Sequence, residues 1–406
     1  PDNNSLLIQW SAVTGAIDYS VQYKLAASPT WTTVTQSDLN MEISGLTNGS
    51  VYDFRIATSN SNGLGDSSAT EQITVGTPGV NNYNNIIWST GQSLSVGADG
   101  TPVLTTSQPY TNLMPNGANS ALIPLVEPAT GAYTGTSETM SSGLGNMLTS
   151  LSDSLEYRVV MALHGAASSP YTSLKKGTSP YNAGLAQANA IRNLSLAADA
   201  PTKIVATTVI HGESNHVANT AAATYEANLV EWQADYEADA QLITGQSDSV
   251  PLFTDQMHNW TSYGSATSLI PGAQLDAANN NSGKIYLVTP KYFLDYVGGG
   301  GNGHLTNYSY RRLGEYYGKV MQRVLEDGEA WSPLQPSAVS RSGAVITATF
   351  DVPTAPITLD TTLVNQQANY GFEYYDSTSS ASISSVQVTG PTTVQITLSN
   401  VPTGTD

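Results

Sequence analysis

Over residues 1 to about 75 the apolar positions alternate with polar ones, as in Tyr19-Ser20-Val21-Gln22-Tyr23 and Val51-Tyr52-Asp53-Phe54-Arg55-Ile56, with turn residues between the runs. A period of two sends successive side chains to opposite faces, so these runs predict the half-buried strands of a small β-sandwich. Beyond the turn signals Gly76-Thr77-Pro78-Gly79 and the Asn-rich stretch Asn81 to Asn85, which read as a linker, the rhythm changes. Short apolar runs at Ile86–Trp88, Tyr157–Leu163, Ile204–Ile210, Pro251–Thr254 and Ile285–Val288 predict buried strands. Apolar spacings of three and four over Met140–Leu155, Asn182–Ala197, Ala218–Leu242 and Leu313–Leu325 predict helices between and after them. Strands alternating with helices imply a parallel sheet covered on both faces. After Gly328 alternation returns in Ala344–Phe350, Val386–Val388 and Val394–Leu398, which predicts a second β-sandwich. The expected domains are therefore 1–78, 84–328 and 330–406.

In the first of these, Trp10, Tyr19, Tyr23 and Leu46, six residues before Tyr52, resemble a fibronectin type III module with Tyr52 at its tyrosine corner. Such a resemblance implies a spacing or orienting role.

Composition narrows the chemistry. Fourteen Lys and Arg face 32 Asp and Glu across 406 residues, a net charge of −18, with only 11% charged and 40% apolar positions. That balance excludes a disordered polyelectrolyte and disfavours nucleic acid and anionic membranes as partners. The absence of cysteine removes disulfides, thiolate metal sites and thiol nucleophiles. No apolar run reaches membrane-helix length, and the start at Pro1 without a signal-like segment reads as an excised or processed fragment.

In an open parallel sheet ligands bind beyond the carboxyl ends of the strands. Three such places carry reactive side chains: Gly91-Gln92-Ser93, His211-Gly212-Glu213-Ser214-Asn215-His216, and a Gly-rich run from Gly298 to Gly303 that leads to His304. Taken singly, Ser93 is as readily a helix cap and His304 a packing residue. A metal cluster from His211, His216 and Asp255 is disfavoured, because a His pair four apart across a loop is a poor zinc frame. Trp88, Trp232, Trp260 and Tyr292 are either core residues or rings lining a sugar cleft.

Together, Gly91-Gln92-Ser93, Gly165, His211-Gly212-Glu213-Ser214-Asn215 and His304-Leu305-Thr306 resemble the SGNH (GDSL-like) hydrolases, closest to the carbohydrate esterase branch that includes sialate O-acetylesterase-like proteins. The three-domain order is similar to that of deacetylating bacteriophage tailspikes. The resemblance implies a three-layer α/β/α domain with a flavodoxin-like parallel sheet between two small β-sandwich domains. It implies Ser93 as nucleophile and His304 as general base. The oxyanion donors would be the Ser93 and Gly165 N–H groups with Asn215 or His211 as the third. Relatives carry Asp three residues before the His, where this chain has Gly301. The orienting acid is therefore expected from Glu213 or Asp295, from a backbone carbonyl, or from none.

The implied activity is removal of O-acetyl groups from an acetylated polysaccharide, with no cofactor and no metal, in an extracellular, secreted or virion-surface setting. Homotrimerisation or attachment to a larger virion or cell-surface assembly fits that setting. The alternative, permitted by Gly301, is an inactive glycan-binding adhesin or tail-fibre module on an esterase fold. The acidic net charge favours a neutral or weakly charged glycan.

Overall fold

The computed structural model describes residues 6–47, 49–75, 83–131, 133–152, 157–301, 303–362 and 364–404. The expected linker at 76–82 lies outside the described residues.

The centre of the chain forms a seven-stranded sheet. Its five parallel strands lie side by side in the order Val159–Leu163, Asn84–Gly91, Thr202–Ile210, Leu252–Gln256 and Ile285–Pro290. The second strand in sequence thus sits outside the first, and the crevice where the order reverses opens at the ends of Asn84–Gly91 and Thr202–Ile210. Two short strands that periodicity did not foresee, Leu113–Pro115 and Leu122–Pro124, extend the edge beyond Val159–Leu163. Each spans three residues and ends in proline, too short for an alternating signal.

The pleat distributes the apolar runs between two cores. Ile86, Trp88, Val160 and Ala162 face helices Ser179–Leu196, Ala222–Thr244 and Ile270–Asn280 through Ile191, Leu229, Trp232 and Ala273. Ile87, Val159 and Met161 face helices Ser141–Leu151 and Asn307–Met321 through Leu144, Leu148, Leu313 and Tyr317. Helix Ile270–Asn280 was not expected from the periodicity: Pro271-Gly272 at its start reads as a loop, yet Pro fits the first turn, where its missing N–H costs nothing. The helix expected across Ala218–Leu242 runs as Ala222–Thr244, and a short additional helix, Glu213–Val217, precedes it.

At the N-terminus Leu6–Gln9 pairs with Asn40–Ile43, and a second sheet is built around Asp18–Leu25 and Val51–Asn60. Trp10, Tyr19, Val21, Ile43, Leu46, Phe54 and Val75 fill the space between. The Thr47 N–H donates to the Tyr52 hydroxyl at 3.2 Å, the tyrosine-corner bond. This module docks on the sheet's amino end. Arg192 Nη2 donates to the carbonyls of Trp10 (2.9 Å) and Leu39 (2.5 Å), while Gln9 donates to the Thr244 carbonyl (2.5 Å) and accepts from Thr202 N–H (3.1 Å). Thr202 opens its strand, so the module lies at the end of the sheet away from the carboxyl-end crevice.

The C-terminal segment differs from expectation. Among the described residues it forms one four-stranded antiparallel sheet, in the order Gln335–Ser342, Val345–Asp351, Thr393–Leu398 and Ile383–Gly390, not two stacked sheets. The stretch between Asp351 and Ile383 forms no strand among its described residues; instead it lays Phe372 against Phe350, ring centres 6.5 Å apart.

Candidate active site

Strand Asn84–Gly91 ends where Gly91 adopts φ 135°, and a Cβ there would stand 2.1 Å from the Ile210 carbonyl oxygen. Only glycine allows the chain to leave the sheet this close to its neighbour. The next nine residues form a tight run of turns. Ser95 Oγ donates to the Gln92 carbonyl (2.7 Å), Ala98 N–H to that of Ser93 (3.1 Å), and Asp99 takes a left-handed φ of 63°. Short polar residues such as Asp tolerate that conformation.

His304 arrives from the far end of the domain. Val297 N–H donates to its carbonyl (2.9 Å), and Thr306 N–H donates to that of Asp295 (2.9 Å), which fixes the loop as a short antiparallel pair. Thr306 then caps helix Asn307–Met321 by accepting from Ser309 N–H at 3.3 Å. The same helix reaches the serine loop, where the Tyr310 hydroxyl donates to the Ala98 carbonyl (2.8 Å) and Asn307 Nδ2 to that of Pro102 (2.6 Å). One helix therefore positions both loops.

The result is a relay. Ser93 Oγ lies 3.0 Å from His304 Nε2, and His304 Nδ1 lies 2.8 Å from Asp99 Oδ2. A carboxylate only accepts, so Nδ1 carries the proton toward Asp99 and Nε2 is left to accept from the serine hydroxyl. The His304 side chain is 23% exposed and that of Asp99 53%. Asp99 corrects the expected acid: neither Glu213 nor Asp295 orients His304, and Gly301 leaves no gap to fill. Asp99 follows the serine, six residues on, inside a turn with no periodic signature, so nothing in the sequence ties it to His304.

Glu213 is committed elsewhere. Its Oε1 sits 2.9 Å from Lys291 Nζ, which also lies 2.6 Å from Asp255 Oδ2, all three side chains being essentially inaccessible. Burial alone would push the lysine down, but the two carboxylates outweigh it and hold Lys291 above its ordinary range, while burial raises Asp255. The buried trio anchors the loop next to Ser214, whose N–H donates to Gln92 Oε1 at 2.8 Å, one residue from Ser93.

The two expected side-chain oxyanion donors are also engaged. His211 bonds Tyr225 Oη through Nδ1 (2.8 Å) and the Ser169 carbonyl through Nε2 (3.0 Å). Asn215 donates to Thr220 Oγ1 (2.9 Å) and accepts from Tyr171 N–H (2.8 Å). His211 is thereby held in the scaffold, while the Asn215 amide has a second N–H beyond the one it gives to Thr220. Gly165 does lie against the serine turn: a Cβ on it would meet Ser95 Oγ at 2.0 Å and the Gly91 carbonyl oxygen at 2.8 Å. His164 bonds the Tyr236 hydroxyl at 2.7 Å, and Trp88 and Trp232 are fully buried core residues rather than cleft walls. Among the described residues no group of three His, Asp or Glu is placed to hold a metal ion, and no helix is long and apolar enough to cross a membrane.

Burial drops both His164 and His211 to about 4. The unfolded chain, with histidines near their ordinary value, therefore takes up protons first, so the stability they confer is complete above about pH 6.5 and is lost as pH falls toward 4. Each loss amounts to about 3 kcal/mol. Glu127, raised to about 7 by burial, works in the opposite direction and offsets part of it. Urea unfolding of the wild type between pH 7 and 4 should show a steeper fall in stability than that of His211→Gln; equal slopes would refute the assignment.

Comparison with known proteins supports part of this picture. Residues 1–74 match the fibronectin type III domain. No curated protein matches the chain. Among solved structures, the chain is similar to a carbohydrate acetylesterase from Xanthomonas citri, with TM-score 0.51 and 12% identity over 99% of this chain and 89% of that one. At that identity the likeness is one of fold. A protein from Arabidopsis thaliana aligns over 60% of this chain and 99% of its own at TM-score 0.46 and 15% identity. The fibronectin type III module thus stands before a domain whose fold is found in an acetylesterase.

Proposed function

We propose that the chain is a serine esterase of the SGNH type that removes O-acetyl groups from a polysaccharide. The observation that carries this reading is the relay from Ser93 Oγ to His304 Nε2 and from His304 Nδ1 to Asp99 Oδ2, at 3.0 and 2.8 Å. Ser93 Oγ attacks the acetyl carbonyl carbon while His304 takes the hydroxyl proton, and Asp99 stabilises the imidazolium. The negative charge on the carbonyl oxygen is met by the Ser93 and Gly165 N–H groups. The ester C–O bond then breaks, His304 returns its proton to the departing sugar oxygen, and water, activated by His304, releases acetate and frees Ser93.

Working boundaries of 1–78, 84–328 and 330–406 accompany this reading, with catalysis confined to the middle. The docked N-terminal module, at the opposite end of the sheet, would orient that domain within an extracellular or virion-surface assembly of the tailspike kind, as a homotrimer or otherwise. Against the inactive-adhesin alternative, which rested on Gly301, the Asp99 carboxylate 2.8 Å from His304 Nδ1 favours the enzyme reading.

Treatment of the intact protein with an arylsulfonyl fluoride followed by peptide mass spectrometry should place one adduct on Ser93, with parallel loss of acetate release from acetylated polysaccharide. Labelling elsewhere, or acetate release that survives full labelling of Ser93, would refute the mechanism.

A further inference from the structure

We propose that the rings of Trp260 and Tyr292, gathered around His258, with Tyr263 beside Gly303, form a stacking subsite next to His304 for one sugar ring of a neutral O-acetylated glycan. The inference rests on the esterase reading above and names the substrate surface of that same site.

Two contacts place the cluster at the relay. Tyr296 pairs by an isolated bridge with Leu305, the residue after His304, and its ring centre lies 6.1 Å from that of His258. A Cβ on Gly303, the residue before His304, would stand 2.7 Å from the Tyr263 hydroxyl. His258 is the hub: its ring lies 5.8 Å from Trp260 at 70° and 6.3 Å from Tyr292 at 66°. Met257 ties the same loop to the serine side, its Cβ 3.0 Å from where a Cβ on Gly212 would be.

The surface has the chemistry a sugar needs. Tyr292 is 54% exposed and Tyr263 40%, and neither joins a core, so these ring faces are open to solvent at the sheet's catalytic edge, whereas Trp260 is half-buried and packs against the first core. Pyranose rings present C–H faces that stack on such rings and hydroxyls that both donate and accept. Among the described residues the His258 ring nitrogens have no hydrogen-bond partner, and the Tyr296 hydroxyl is buried without one. Burial, followed by the charge of Lys291, holds His258 low, so it offers the one donor and one acceptor of a neutral imidazole. Lys291, adjacent to Tyr292 in the chain, is already committed to Glu213 and Asp255, and the whole chain carries −18, which points to an uncharged glycan rather than a polyanionic one.

The test uses the full-length Ser93→Ala protein, which leaves the ligand intact, titrated by calorimetry with partly O-acetylated glucomannan oligosaccharides. Adding Trp260→Ala or Tyr292→Ala should weaken binding about tenfold each. Tyr292 is the exposed control, and unfolding midpoints for both variants check the fold. Unchanged affinity in both, or no binding by Ser93→Ala, would overturn the subsite. Tighter binding of acetylated pectin fragments than of glucomannan would overturn the neutral-glycan assignment. Acetate release by the wild type from the same oligosaccharides is scored separately. Release with ring-independent binding removes the subsite alone, whereas ring-dependent binding without release removes the esterase reading and leaves a glycan subsite.

Discussion

Replacing Asp99 by Asn should lower kcat for acetate release by about 10²- to 10⁴-fold with little change in KM. An amide in place of the carboxylate no longer dictates that Nδ1 holds the proton, and it cannot compensate the imidazolium that forms as Ser93 attacks. The lower part of that range is expected, because a half-exposed Asp99 lets water take over some of its work. Ser93→Ala should cost more, on the order of 10⁵-fold, since no other group accepts the acetyl. Asp295→Asn, by contrast, should leave kcat within about twofold, because the relay runs through Asp99. Steady-state kinetics on an acetylated oligosaccharide decide the matter: an Asp99→Asn enzyme within a factor of three of wild type would mean that His304 is oriented by something else.

Replacing Lys291 by Met should destabilise the protein by about 3–5 kcal/mol, the usual cost of removing one partner from a buried ion pair. The substitution leaves Glu213 and Asp255 facing each other as uncompensated carboxylates out of contact with water. The Tyr317 hydroxyl, donating to Asp255 Oδ1 at 3.2 Å, cannot neutralise them. Against a typical total stability of about 5–15 kcal/mol this is a large loss. Adding Glu213→Gln and Asp255→Asn to Lys291→Met should recover most of it, because neutral amides no longer demand the cation. Urea unfolding measures both proteins; a loss below 1 kcal/mol for Lys291→Met, or no recovery in the triple variant, would show that the trio is not the anchor of the Glu213 loop.

The main architecture was legible because burial is written in periodicity. The five parallel strands and the helices around them follow from apolar runs and spacings of three and four, and the alternating segments flanking them from a period of two. What escaped was short or locally ambiguous: the three-residue edge strands, the helix opening on Pro271-Gly272, and the single C-terminal sheet, whose stacking no strand pattern specifies. At the site, Ser93 and His304 could be picked out as oxygen nucleophile and base at strand ends, and the structure brings them to 3.0 Å. Their helpers followed from the resemblance of the 211–215 block, and there the fold adds what no local motif announces: Glu213 is paired with Lys291, His211 with Tyr225 and Asn215 with Thr220 and Tyr171.

The sequence by itself determined which residue types were on hand for the chemistry. With no cysteine and five histidines, it restricted the nucleophile to oxygen and left few possible bases. Only the tertiary structure decided which carboxylate serves His304 and which is neutralised by Lys291. The physical reason is that a charge takes its role from what the fold brings within about 3 Å and how much water remains. Asp99, in a left-handed turn at the rim, stays available to the imidazole although 205 residues separate the two, whereas Glu213, far nearer to His304 in sequence, is sealed beneath the site with its cation.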